Sequence, residues 1–436
     1  MILKSRHEYL FNEGLRFQRQ GELQRASDYY CQLLSLIPDH FMAINNMALI
    51  ARDMDRTDVA LQLLNEAHEI APLNIEIIKN IANIQLQLGD PGSAELKLRH
   101  ALSASPNATD VSLLLAQALY EQEKFTSAKK ALKRLLKKDK SNPDILFKLG
   151  VNCSRERNFE KSVYYLRKAL EAEPNNTTIL DELAEQYIFL NMTEKAEELL
   201  SLSIKTNSFN TRALSLQAVI FNLTHNKESL ISLYRYHDLL RVEQISVSER
   251  YESIDEFNGE LLAFLKNNVK MLSASPNKAT TKGTQSRSIN AIQDAVMIEM
   301  NALIGRAYET AVTGCQNLSN HVFSRGIPKN YKIESWAVNL RSGGFQLPHV
   351  HPSGWLSGCY YLKLPDRMGL DSNSPEGWLE FGRPEEKYGI TDPLATYAYQ
   401  PIEGEMVTFP SYFWHRTVPF LSDERRISIA FDIRPI

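Results

Sequence analysis

QLPHVHPSGWLSGCYYL, residues Gln346–Leu362, sets two histidines two positions apart in a strand-like run and follows them with a short aromatic segment broken by Pro and Gly. Side chains at i and i+2 of a strand share a face, so His349 and His351 point the same way. Pro352 then ends the strand. A third histidine, His415, lies 64 residues after His351, and Arg426 lies 11 residues beyond His415. Two close ligands, one distant ligand and a distant cation suggest a non-haem iron site with an anionic co-substrate. Imidazole also suits copper, nickel and zinc, so the ligand type alone does not name the metal.

Working outward, aromatic and β-branched runs punctuated by Gly and Pro predict strands at 332–340, 344–351, 355–364, 377–382, 395–399, 404–409, 413–418 and 425–433. A helix is expected over 291–313, with Ile292, Val296, Met297, Met300, Leu303 and Ile304 along one face. Eight short strands behind flanking helices predict a double-stranded β-helix, a jelly-roll barrel whose mouth gathers distant ligands. In the last strand Arg426, Ser428 and Ala430 share one face, and Arg425, Ile427, Ile429 and Phe431 share the other. Arg426 and Ser428 are therefore candidates to clamp a carboxylate inside the barrel. The same alternation sets Ser357, Cys359 and Tyr361 on the face of the histidine pair, where Tyr361 can donate to that carboxylate. The competing roles are an ion pair of Arg426 with Asp432 or Glu424, and simple barrel filling by Ser428 and Tyr361. Asn339 is a weaker site candidate. Trp355, Trp378 and Trp414 read as packing residues.

The N-terminal half carries a 34-residue period. Ala26, Ala60, Ala94 and Ala128 keep one phase, continued by Ser162 and Ala196; Pro38, Pro72, Pro106 and Pro174 keep another. Gly14, Ala48, Ala82, Ala116, Gly150 and Ala184 mark a second small position, and Gly21 and Gly89 mark turns. Small residues allow two helices to cross closely, the proline ends the second helix, and units stack because one hairpin cannot bury its own apolar face. This pattern resembles the tetratricopeptide repeat (TPR): six units over 7–210 and a degenerate helical pair at 211–243, where Leu230 takes the small site. Such arrays imply a protein or peptide partner on the concave face. The basic run Lys124–Lys140 has the spacing of a solvated helix face.

The chain of 436 residues is 43% apolar and 23% charged with a formal net charge of −3, an ordinary globular composition that points to neither nucleic acid nor membrane. The first residues hold no signal-peptide core and no apolar run reaches a membrane span of about 18 residues. Four scattered cysteines without a Cys-x-x-Cys pair predict a reducing, cytoplasmic setting. The polar stretch 273–289 reads as a flexible loop, either a lid or a plain linker. The expected division is a repeat array at 7–243, a connecting helix and flexible loop at 244–290, and a jelly-roll domain at 291–436.

Residues 275–436 resemble the 2-oxoglutarate/Fe(II) dioxygenases, in particular a prolyl-hydroxylase-like bacterial branch. The resemblance rests on His349-Val-His351-Pro, Leu-Ser-Gly-Cys-Tyr-Tyr361-Leu, Gly377-Trp-Leu-Glu-Phe-Gly-Arg-Pro384, Gly404-Glu-Met-Val-Thr-Phe-Pro-Ser411, His415 and Arg426-Ile-Ser428, with Lys278…Thr281-Lys-Gly-Thr-Gln285 upstream. It implies Fe(II) on His349, His351 and His415, and 2-oxoglutarate on Arg426, Ser428 and Tyr361. The implied reaction is hydroxylation of a substrate C–H bond, the substrate itself being unknown. The usual motif has a carboxylate where this chain has His351. Either three imidazoles hold the metal, or one of His349 and His351 does so and water or another carboxylate completes the shell. The residues Gly343…His349-x-His351 and Gly404…Pro410…His415 also resemble cupins, leaving a three-His dioxygenase without 2-oxoglutarate as the second expectation. A TPR interaction protein with an inactive barrel is the third.

Overall fold

The computed structural model describes residues 2–54, 56–273, 279–366 and 375–436. It divides into two compact units, Met1–Ala172 and Glu173–Ile436.

The first unit is built of antiparallel helix pairs: α1 (Ile2–Arg19) with α2 (Leu23–Leu36), α3 (Phe41–Asp53) with α4 (Thr57–Ile70), α5 (Ile75–Gln87) with α6 (Pro91–Ala104), α7 (Thr109–Glu121) with α8 (Phe125–Leu136), and α9 (Pro143–Arg155) with α10 (Phe159–Ala172). The small positions sit at the helix crossings. A Cβ at Gly14 would come within 2.5 Å of the Tyr30 ring, and one at Gly150 within 2.6 Å of Leu166. Ala26, Ala60, Ala94 and Ala128 are fully buried. Each phased proline lies two residues past the end of a second helix, where its missing N–H costs no helical bond. The described turns between paired helices place one residue at positive φ: Gly21, Gly89, Glu123, Arg157, Asn191 and His225, in the same 34-residue phase. Position 55, of the same phase, lies outside the described residues. Glycine marks this turn only twice because the other side chains accept a left-handed cost of about 1–2 kcal/mol. The basic run is an exposed face tied down by neighbours, Lys124 to Glu95 at 2.8 Å and Lys138 to Asn107 at 2.6 Å.

The second unit begins with two more helix pairs, α11 (Thr177–Phe189) with α12 (Thr193–Thr206) and α13 (Thr211–Leu223) with α14 (Lys227–Tyr234). The short α15 (Tyr236–Leu239), β1 (Arg241–Gln244), α16 (Ile254–Asn268), β2 (Leu272–Ser273), β3 (Thr280–Gln285), α17 (Ala295–Gly314) and α18 (Val322–Arg325) follow. The remaining strands are β4 (Tyr331–His349), β5 (Leu356–Lys363), β6 (Leu379–Phe381), β7 (Tyr397–Tyr399), β8 (Glu405–Pro410), β9 (His415–Thr417) and β10 (Arg426–Pro435). All pairings are antiparallel, in the order β1-β8-β5-β10-β4-β9-β6-β7, with β3 beside β4 and β2 beside β3. The sheet curls on itself in a jelly-roll-like manner.

Three expectations are corrected here. The windows 332–340 and 344–351 form one long strand. Its first part pairs with β10 up to Leu340 and its last part pairs with β9 from Gln346, so β4 belongs to both halves of the curl. The bend between them needs glycine: Gly343 has φ +68, and a Cβ on Gly344 would lie 2.6 Å from the Arg341 carbonyl. Residues 241–244, read as the end of a helical pair, form β1 on the edge of β8. Residues 280–285, read as loop, form β3, where Gly283 lets Leu340 pass within 2.7 Å of its absent Cβ. Residues 274–278 of that expected loop, with Lys278, lie outside the described residues.

The unit boundary falls inside the repeat array because the last repeats share a core with the sheet. One continuous apolar cluster joins Ala184, Leu214 and Val219 to Met297 and Ile304 of α17 and to Tyr360, Phe413 and Ile429. Polar contacts lock the same interface. Trp414 Nε1 donates to the Ser215 carbonyl at 2.9 Å, Tyr412 to Leu233 at 2.9 Å and Thr211 to Gly354 at 2.9 Å. Glu185 accepts from Arg212 and from the Tyr388 hydroxyl, both at 2.6 Å, and pairs with Lys387 at 3.2 Å.

Candidate metal centre

His349 ends β4 and lies in register with His415, which begins β9. His351 follows in the turn, its N–H donating to the Ser411 carbonyl at 3.0 Å. The ring centroids stand 4.2 Å (349–415), 5.0 Å (351–415) and 5.1 Å (349–351) apart. One nitrogen of each ring lies within 4.8 Å of the other two. The hydrogen bonds say which nitrogen is free. Nδ1 of His349 faces the Leu347 carbonyl at 2.7 Å, Nδ1 of His415 the Phe413 carbonyl at 2.9 Å, and Nδ1 of His351 the Asp432 carboxylate at 2.6 Å. All three partners are acceptors, so each Nδ1 donates and each Nε2 is the nitrogen left to face a metal.

Electrostatics agree. Burial, with the neighbouring His351 second, pushes the His349 imidazole down to about 4. Burial and then His349 and His351 push His415, which is 5% exposed, far below the ordinary range. His349 and His415 are therefore neutral at pH 7, the form that binds a metal. The residues present fit a cation held by three imidazoles.

A second constellation occupies the interior face of β10 and β5. Ser428 lies opposite Tyr361 and Ala430 opposite Cys359. Arg426 is 1% exposed; its Nε donates to the Gly377 carbonyl at 3.3 Å and its guanidinium stands 5.2 Å from the Tyr361 ring centroid. Among the described residues no carboxylate pairs with it. The two acids expected as competitors are engaged elsewhere: Asp432 with His351, and Glu424 with the Asp366 amide at 2.8 Å. The Tyr361 hydroxyl is buried and, among the described residues, has no nitrogen or oxygen partner, only the weak contact of the Cys359 thiol. Burial pushes the Cys359 thiol up beside it.

The register moves Asn339 away from this face, since it lies opposite Ile427 rather than Ser428. Trp355 and Trp414 are buried packing residues. The sequence reading missed Asp432 as a site residue and named it only as a possible partner of Arg426. The signal was available: one more step of the 426, 428, 430 alternation reaches 432. Asp432 is 6% exposed and also accepts from Ser357 Oγ at 2.7 Å, and Ser357 Oγ lies 2.8 Å from Ser411 Oγ. Burial alone would raise this carboxyl, but the charge and hydrogen bond of His351, with the Ser357 hydroxyl, hold it below its ordinary value. Trp336 stacks on His351 at 5.7 Å, and Phe409 packs 4.7 Å from His415.

Residues 334–432 match the family model described as "Putative 2OG-Fe(II) oxygenase". Residues 86–146 and 143–176 match two tetratricopeptide-repeat models. Similar curated proteins include BBSome complex member BBS4 of Mus musculus, 26% identical over 130 residues, covering 30% of this chain and 25% of that protein. Tetratricopeptide repeat protein 8 of Caenorhabditis elegans is 25% identical over 171 residues, covering 38% of this chain and 32% of that protein. The chain thus matches only about a quarter to a third of those relatives' length. Among solved structures, a tetratricopeptide repeat protein from Parabacteroides merdae aligns with TM-score 0.47 at 15% identity, over 52% of this chain and 90% of that one. PilW, a type IV pilus biogenesis factor, aligns with TM-score 0.43 at 19% identity, over 46% of this chain and 93% of that one. The chain carries tetratricopeptide repeats in its N-terminal region and, after them, a domain that matches the 2OG-Fe(II) oxygenase model.

Proposed function

We propose that the C-terminal domain is an iron- and 2-oxoglutarate-dependent dioxygenase that hydroxylates a protein, peptide or small molecule, and that the repeats recruit the substrate or a partner. The observation that carries this reading is two unlike sites on one curled sheet. Three histidines offer bare Nε2 atoms, and a buried guanidinium has no carboxylate partner among the described residues. His349, His351 and His415 would hold the metal. Arg426 has N–H donors to spare for the far carboxylate of a keto diacid, the Tyr361 hydroxyl is occupied only by the weak acceptor Cys359, and Ser428 lies beside it. This polar set fixes which end of the diacid faces the histidines. Phe409 and Phe381 keep water from the buried side of His415. Iron and 2-oxoglutarate together supply dioxygen activation: one oxygen atom enters a C–H bond, the other ends in succinate, and carbon dioxide leaves.

A cleft of about 550 Å³ lined by Phe345, Leu347, Pro348, Arg383, Ile390 and Arg416 runs along the end of β4, and none of the three histidines lines it. In the first unit, a cleft of about 210 Å³ lined by Gln117, Tyr120, Phe147, Lys148, Val151 and Asn152 suits a peptide partner. No helix among the described residues is long and apolar enough to cross a membrane. The free cysteines support assignment to the cytoplasm.

The all-imidazole set favours a second reading, a three-His cupin-type dioxygenase without 2-oxoglutarate, but that reading gives Arg426 and Tyr361 nothing to bind. The test adds Fe(II) and 2-oxoglutarate anaerobically and follows the weak visible charge-transfer band of the chelate. A band that His415→Ala abolishes and Arg426→Ala weakens is expected. Iron binding without a 2-oxoglutarate response would select the cupin-type reading, and no metal binding at all would leave the repeats as the working part.

A further inference from the structure

We propose that Asp432 is a positioning residue that acts through His351, lending the metal centre the negative charge that a direct carboxylate ligand would otherwise bring. The inference rests on the metal site proposed above and deepens it. Three neutral imidazoles leave a divalent cation one charge less compensated than two imidazoles and a carboxylate. Asp432 is the one carboxylate bonded to any of the three rings among the described residues, and it approaches His351 from behind, at Nδ1. The other two rings are oriented by backbone carbonyls, which are neutral. His351 is therefore the one donor of the three backed by a full negative charge.

Burial sharpens the argument. A carboxylate that is 6% exposed is costly unless a cation compensates it. The arginine nearest in sequence, Arg434, is ion-paired with Glu334 and acts on Asp432 only as the smallest of the charges that lower it. Asp432 has His351 and Ser357. The cation that its charge can address through the imidazole is the one at Nε2. The scaffold holds it there: Asp432 lies in register with Ser357 on β5 and with Glu334 on β4, and Ser357 is itself hydrogen-bonded to Ser411, whose carbonyl takes the His351 amide. Both sides of the His351 ring are thus fixed, with Trp336 stacked on its face.

The test is Co(II) titration of the full chain, followed by visible absorption and by melting with and without the metal. Asp432→Asn keeps an acceptor for Nδ1–H and Ser357 but removes the charge. Co(II) affinity is expected to fall about 10- to 100-fold and the absorption bands to shift, while the metal-free melt stays near wild type. His351→Gln should lose affinity too, and the double variant should fall no further than His351→Gln alone, because one charge acts through one ring. If Asp432→Asn does not fold, Ser357→Ala carries the test, with a several-fold loss expected from a less firmly held carboxylate. Unchanged affinity in the variant that folds, or additive losses in the double variant, would overturn the inference while leaving the metal site in place. A wild type that binds neither Co(II) nor Fe(II) would overturn the site and the inference together.

Discussion

Replacing Arg426 with methionine removes a buried charge that has no carboxylate partner among the described residues, and the apoprotein should hardly notice. The loss is one hydrogen bond to Gly377 at 3.3 Å and a cation–π contact with Tyr361 at 5.2 Å. At these long distances they contribute about 1.5 and about 1–2 kcal/mol. Against this stands the several kcal/mol of desolvation that methionine does not incur. The two nearly cancel, and in a unit spanning Glu173–Ile436 each kcal/mol moves Tm by about 2–4 °C. Ligand stabilisation behaves differently. With Fe(II) present and 2-oxoglutarate at about 100 times Kd, wild type gains about 2.7 kcal/mol, or roughly 5–10 °C. Losing a bidentate guanidinium–carboxylate contact weakens the ligand by about 100-fold or more, which cuts that gain to about 0.4 kcal/mol. Anaerobic melting curves of both proteins with and without 2-oxoglutarate measure this directly. The reasoning is refuted if the variant keeps the full ligand shift. It is refuted equally if the metal-free variant melts more than about 10 °C below wild type, since Arg426 would then be a structural ion rather than a ligand anchor.

Tyr361→Phe should leave metal-free stability near wild type, because among the described residues the buried hydroxyl meets only the weakly bonding Cys359 thiol, and should raise KM for 2-oxoglutarate about three- to tenfold; turnover at varied co-substrate checks it. Glu185 is held below the usual carboxylate range: burial alone would raise it, and Arg212, Lys387 and the Tyr388 hydroxyl outweigh burial. Because its folded value is depressed to about 2, the stability it gives is present above about pH 4.5 and is lost as pH falls from there toward about 2. Glu185→Gln should therefore cost about 1–3 kcal/mol at pH 7 and flatten the acid limb of urea melts between about pH 5 and about pH 2.5. Gly358→Ala forces a Cβ to within 2.2 Å of the Phe431 ring and should destabilise the sheet by about 1–3 kcal/mol, read from the same melts.

How far the chain could be read depended on how far apart the informative residues lie. The repeat array was legible because Ala26, Ala60, Ala94 and Ala128 solve one packing problem again and again. A further signal of that kind, the helix-capping asparagines Asn74, Asn142, Asn176 and Asn210, lay in the same phase and went unread. The strands of the curl were legible where both faces are apolar, as in Glu405–Pro410. Thr280–Gln285 was not, because an edge strand of Thr, Lys, Gly and Gln carries the composition of a loop. The histidines and Arg426 stood out by residue type and spacing. The pairing of His351 with Asp432 did not, because it spans 81 residues and depends on the register of β10 against β5, which local pattern does not determine.

Trp414 adjoins His415 in the chain, and its indole is bonded to the backbone of α13, the first helix of the last repeat pair. That single bond bears on ancestry as well as stability. A catalytic module can be shuffled between proteins by recombination only if its cut points cross few contacts. Here a cut after residue 243 would strip the histidine-bearing loop of the carbonyls of Ser215 and Leu233, and the Tyr388 loop of Glu185. A piece that keeps all of these bonds begins near Glu173, where the second compact unit starts, so a transplant of the sheet carries these last repeats with it.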